Sequence, residues 1–248
     1  IEDIYTYRAV RPDPYFINAL NPEIKNIIKR KIPIEKLIEK HTMYPYYGRF
    51  MNKERRKKAF GSLITMNGNY NNLLVMPNKK DRTDKFLRYC PACAKEDRER
   101  HGETYWHRSH QLTGVDVCPK HKCYLRESSV VVAGEASPNL AAADSEVPLE
   151  ENVVPCENKK EINLAEYIIK IFQAPVDTDS DVPVGKFLHS RLTGTKYLSK
   201  TGLLRNLKEF YEDYLLYYEE IPKVKMDLLQ IQKIFNGYRF NFAEICQL

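Results

Sequence analysis

Cys90-Pro91-Ala92-Cys93 and, 24 residues further on, Cys118-Pro119-Lys120-His121 form a C-x2-C…C-x2-H pattern. Two residues between paired ligands let the chain turn tightly enough for both side chains to reach one ion. A connecting loop of this length lets the second knuckle complete a tetrahedron. Three thiolates and one imidazole fill every position around zinc and leave none for water, so the spacing predicts a structural Zn2+ held by Cys90, Cys93, Cys118 and His121. Cys123 is close enough in sequence to stand in for His121. The bland alternative is a set of unrelated buried thiols beside a surface histidine. His101, His107 and His110 lie between the knuckles and can bond to backbone groups instead. Cys156 and Cys246 read as bystanders.

A catalytic reading of the same region is weaker. His101-Gly102-Glu103 has the H-x-E form of zinc deaminases, but there it precedes the P-C-x-x-C element and here it follows. A zinc hydrolase or nuclease would need an open metal position and a carboxylate base, with Glu103 the nearby candidate. The sequence contains neither a G-x-x-x-x-G-K phosphate loop nor a G-x-S-x-G elbow.

Outward from the knuckles the periodicity is helical. Pro22 to Lys31 places Ile24, Ile27 and Ile28 on one face, and Pro33 to Lys40 places Ile34, Leu37 and Ile38 likewise, each opened by a proline. Asn163 is read as the N-cap of a helix carrying Leu164, Ile168, Ile171 and Phe172 that stops before Pro175. The longest predicted helix runs from Gly202 to Glu219, and another from Lys225 to Phe235 ends at the Asn236-Gly237 turn signal. Strand signals are few: 73–76, 115–117 and 130–132. The expected class is mainly α, with a zinc-finger module, a helix-turn-helix-like region and few short strands. The expected organisation is a basic helical region (1–89), a zinc-binding module (90–132), an acidic linker or long loop (133–162) and a helical, helix-turn-helix-like region (163–248).

The net charge of the 248 residues is +6, but it is unevenly placed: residues 21–60 carry +8 and residues 133–183 carry −8. Composition excludes a disordered chain. No apolar run approaches the roughly 18 residues of a membrane span, and the N-terminus lacks a signal pattern, so a soluble cytosolic protein is expected, with no membrane partner. The missing initiator Met and the apolar C-terminus suggest the core of a longer protein.

Lys53, Arg55, Arg56, Lys57 and Lys58 follow the aromatic string Tyr44-Pro45-Tyr46-Tyr47, a combination suited to phosphate contact, although a solvated helix face would read the same. In a second basic segment, a short helix over 187–191, a turn at Thr193-Gly194-Thr195 and the long helix predict a helix-turn-helix layout. Lys196, Lys200, Thr201 and Arg205 would then lie at the front of the second helix, facing DNA. An ordinary helical hairpin fits the pattern equally.

The segments Glu39-Lys40-His41-Thr42-Met43-Tyr44-Pro45-Tyr46-Tyr47, Lys53-Glu54-Arg55-Arg56, Arg88-Tyr89-Cys90-Pro91-Ala92-Cys93, Tyr105-Trp106-His107-Arg108 and Val117-Cys118-Pro119-Lys120-His121 together resemble the TniQ/TnsD family of transposon target selectors. The likeness extends over residues 35–215. It implies a non-catalytic, prokaryotic, cytoplasmic and nucleoid-associated protein that binds double-stranded target DNA and recruits a TnsC-like AAA+ ATPase. His41-Thr42 followed by Lys53-Glu54-Arg55-Arg56 is more similar to the TnsD branch, which implies a fixed attachment site. The alternative is a TniQ-type adaptor that links a CRISPR effector complex to the ATPase.

Overall fold

The computed structural model describes residues 16, 20–65, 73–74, 86–132, 141–181, 184–199, 201, 204–221, 226–236 and 242–248. Four helices come first: α1 (Pro22–Lys31), α2 (Ile34–His41), α3 (Tyr44–Gly48) and α4 (Lys53–Thr65). Asn21 caps α1 by accepting from the Glu23 N–H at 2.9 Å, and Pro22 occupies the first turn, where its missing N–H costs nothing. Thr42 ends α2 by donating to Ile38 O at 2.5 Å and accepting from the Tyr44 N–H at 3.1 Å, which turns the chain directly into α3. Gly48 is demanded by packing: a Cβ there would lie 2.7 Å from the ring of Tyr44, which is fully buried.

A compact βα module follows. Strand β1 (Phe86–Tyr89) leads into α5 (Pro91–His101), a 3-10 turn covers Arg108–Gln111, and β2 (Val117–Cys118) and β3 (Cys123–Tyr124) form a tight hairpin. Strand β4 (Arg126–Val131) then pairs antiparallel with β1, Arg88 opposite Glu127 and Tyr89 opposite Arg126. Arg88 locks the module from inside. Its guanidinium donates to Leu112 O at 2.8 Å and Val115 O at 3.1 Å and pairs with Asp116 at 3.2 Å, while its backbone is clamped by the Gln111 side chain.

The chain closes with α6 (Ala143–Glu146), α7 (Lys159–Gln173), α8 (Val184–Leu192), α9 (Leu207–Tyr217), α10 (Leu228–Phe235) and α11 (Phe242–Cys246). The main hydrophobic cluster joins both ends of the sequence. Leu37, Ile38 and Leu63 from the N-terminal helices meet Leu87, Leu112 and Val115 from the module and Ile168, Phe172, Leu188, Phe210 and Ile234 from the C-terminal helices. Each such side chain contributes about 1.5–3 kcal/mol on burial, so the module is fixed to the helices by the same force that holds the helices together.

The mainly α class with few short strands is what the periodicity predicts, and α1 spans Pro22–Lys31 as expected. Several boundaries differ, three of them at helix starts. Helix α7 starts four residues before Asn163, capped by Asn158, whose side chain accepts from Lys160 N and Glu161 N. Helix α9 starts at Leu207, not Gly202, because Leu198 and Leu204 pair in a β-bridge and Asn206 takes a left-handed φ of 53°. Helix α10 starts at Leu228 behind the Asp227 cap. Of the expected strand at 73–76, Leu73 and Leu74 are described and are not in a strand, and residues 75–76 lie outside the described residues, as does Gly237.

The acidic segment is in contact with the module over its described part. Arg98 pairs with Asp144 at 2.7 Å and donates to Val147 O at 2.7 Å and Pro148 O at 3.0 Å. The Trp106 indole donates to Ala141 O at 2.8 Å, and Cys156 N donates to Lys122 O at 2.7 Å. Residues 141–156 thus form a strap laid across the module, with charge that complements Arg98.

Candidate metal centre

Cys90 is the N-cap of α5, and its sulfur accepts from the Cys93 N–H at 3.4 Å. Pro91 starts the helix, so one tight turn brings both sulfurs to the same side. Gly102, at φ 81°, ends α5 in the left-handed conformation that glycine adopts without strain. The second knuckle is the β2–β3 hairpin: Cys118 and Cys123 are directly paired, and the intervening turn closes through Lys122 at φ 50°.

The four donor atoms of Cys90, Cys93, Cys118 and His121 all lie within 4.8 Å of one another, with the three cysteines buried and His121 partly so. Their edges can be tested against a zinc tetrahedron, for which bonds of about 2.3 Å to sulfur and 2.0 Å to nitrogen require S···S edges of about 3.8 Å and S···N edges of about 3.5 Å. Cys93 Sγ and Cys118 Sγ are 3.7 Å apart, and His121 Nδ1 lies 3.5, 3.3 and 3.7 Å from the sulfurs of Cys90, Cys93 and Cys118. The set fits a metal ion of that size.

Glu96, Asp97 and Thr104, absent from the sequence reading, help to complete the surroundings. Glu96, one turn after Cys93 on α5, accepts from His121 Nε2 at 2.9 Å and pairs with Lys120. The Lys120 and His121 contacts hold its carboxyl down at about 2. Fixing the outer nitrogen of the ring turns Nδ1 toward the sulfurs. Its i, i+3 spacing from Cys93 on one helix face is the signal that could have found it. His110, 3% exposed, points Nε2 at Cys93 Sγ from 4.0 Å, and burial pushes its pKa down. His107 bonds Asp97 at 2.8 Å, and Thr104 donates to the same carboxylate oxygen at 3.1 Å. His101 is the last residue of α5 and Glu103 is exposed beyond it. Cys156 is buried with Val117 and Ile162 and is not among the four clustered donors.

The cations predicted to face DNA do not share one environment. Arg56 is 2% exposed and donates to Arg49 O at 3.3 Å, Met51 O at 3.0 Å and Ser180 O. It is a structural cation, which corrects its assignment to phosphate. Arg55 donates to Leu73 O at 2.6 Å. Lys57 and Lys53 pair with Asp179 at 2.5 and 3.9 Å, and Lys58 is exposed. In the second patch, Lys196 pairs with Glu209 at 2.8 Å and Asp213 at 2.6 Å, on the flank of α9. Thr201 and Arg205 are exposed but precede α9 instead of opening it, which corrects the helix-front placement. Lys200 lies outside the described residues.

Three cysteines and one histidine that could hold a metal thus sit in a mainly helical protein, and no helix among the described residues is long and apolar enough to cross a membrane. The TniQ family profile matches residues 26–125, from within α1 through both knuckles. The chain is 34% identical over 89 residues to the Tn7 transposition protein TnsD of Escherichia coli. That match takes in 36% of this chain and 18% of the relative.

Proposed function

We propose that the protein is a non-catalytic transposition target selector that binds double-stranded attachment-site DNA and recruits a TnsC-like AAA+ ATPase. The observation that carries the reading is the TniQ profile match over residues 26–125, which contains both knuckles, beside the 34% identity over 89 residues to a TnsD. Zinc is the ion proposed for the centre: three thiolates and one imidazole match its preferred ligands, and a closed set gives it a folding role. The ion, when bound, ties α5 to the β2–β3 hairpin. The protein's own residues position the ligands: Glu96 orients His121, and Arg88 holds the strand before Cys90.

For DNA, the exposed cations Lys29, Arg30 and Lys31 on α1, Lys36 and Lys40 on α2 and Lys58 on α4 supply the charge. A duplex neutralised by such residues releases counterions, so binding should fall steeply with salt. The test is capture of the cognate ATPase by the full chain with and without attachment-site DNA. Capture that DNA strengthens supports the reading. No capture under either condition, together with no salt-dependent DNA binding, would contradict it.

A further inference from the structure

A fifth potential donor adjoins the four that converge on the centre. Cys123 Sγ lies 3.4 Å from Cys90 Sγ, and Cys123 is completely buried. In the β2–β3 register Cys123 is directly opposite Cys118. Residues so paired on an antiparallel ladder project to the same face, with Cβ atoms about 4.5–5.5 Å apart. The hairpin therefore aims both of its thiols at the α5 knuckle. Cys90, Cys93, Cys118 and Cys123 form one buried cluster, sealed by Ala92 and Leu125.

His121 is the outlying member. Its side chain keeps 16% of its exposure, whereas the four cysteines keep 5% or less, and its outer nitrogen is tied to Glu96, which also holds the half-exposed Lys120. A ligand on an exposed turn, tethered to surface charges, can leave the cluster without opening the core. A buried thiol cannot.

We propose that Cys123 is a reserve ligand for a thiophilic divalent ion, converting the centre from three thiolates and an imidazole to four thiolates when His121 leaves. Cys123 gives up its proton to the Nδ1 lone pair that His121 frees. Its sulfur forms the fourth bond as the bond to Nδ1 breaks. The centre gains one negative charge, His121 becomes protonated, and the knuckle tip carrying Lys120 and His121 is released from the ion while the fold keeps it. The inference rests on the metal reading above.

The test uses the full chain loaded with Co2+, whose absorption reports tetrahedral geometry and thiolate number, and with Zn2+. The His121→Ala protein should retain the metal with a tetrahedral spectrum and a stronger sulfur-to-cobalt charge-transfer band than the wild type. His121→Ala/Cys123→Ser should lose it, and Cys123→Ser alone should keep it. Loss of metal from His121→Ala, or equal retention by the single and double variants, overturns the inference. Should His121→Ala not fold, Cys123→Ser in the otherwise intact chain should release zinc to a chromogenic chelator about tenfold faster than wild type; equal release rates overturn it. A wild-type chain that binds neither ion would refute the metal reading itself, an outcome separate from all of these.

Discussion

His121 and Glu96 form a carboxylate–imidazole pair in which Nε2 is 2.9 Å from the Glu96 oxygen and Nδ1 faces three sulfurs. Such outer partners fix the tautomer and orientation of a ligating histidine, and their loss typically costs about 10–100-fold in metal affinity. Glu96→Ala should weaken zinc binding by that factor while leaving the helical content of the metal-loaded protein unchanged. Competition with a chelator of known affinity measures it, and unchanged affinity would remove Glu96 from the site.

Arg108 joins the module to the helices. It donates to Thr42 O at 2.5 Å and Glu39 O at 3.1 Å at the end of α2, and its guanidinium lies 4.9 Å from the centre of the Phe172 ring on α7. Burial holds its pKa down at about 10. Arg108→Ala should destabilise the fold by about 2–4 kcal/mol through lost packing and unpartnered carbonyls. Arg108→Lys should recover little, because an ammonium cannot reproduce the planar stack. Denaturant unfolding reads both.

The strap has a built-in reporter, since Trp106 is the one tryptophan in the chain and donates to Ala141 O. Asp144→Ala, which breaks the pair with Arg98, should shift tryptophan emission to longer wavelength and leave metal content intact. The Arg98 pair and the Thr104 N–H hold the Asp144 carboxyl below its ordinary value. A depressed carboxylate contributes stability above its unfolded pKa, about 3.9, and loses it as pH falls through the folded value. The emission should therefore be flat from pH 8 to about 5.

The two classes of cation separate by measurement. Arg56→Ala should lower stability because its buried guanidinium donates to three half-buried carbonyls. Lys58→Ala should leave stability unchanged within about 0.5 kcal/mol. If Lys58 meets a phosphate, that substitution lowers the slope of log binding constant against log salt by about 0.9. A Lys58 variant with wild-type affinity and slope would take that lysine out of the interface.

Much of this was legible in the sequence because the signals are local. The knuckle spacing places four donors together, and Asn21-Pro22 announces α1. The long-range features were not legible. Nothing local to Arg56 shows that Ser180, far along the chain, waits for its guanidinium, so five cations in six residues read as one surface. Gly202 to Glu219 keeps helical spacing through Leu203 and Leu207, yet the Leu198–Leu204 bridge and left-handed Asn206 override that pattern. Residues 133–162 read as an acidic linker or long loop, and the partner that Arg98 supplies to Asp144 is brought near only by the fold.

Metal content and thermal unfolding of the full chain before and after chelation test the central claim most directly. The proposed zinc centre predicts about one zinc per chain and loss of the cooperative transition when it is stripped, because ligand binding in such a module is folding energy. A protein that carries no metal and melts at the same temperature with or without chelator would contradict it.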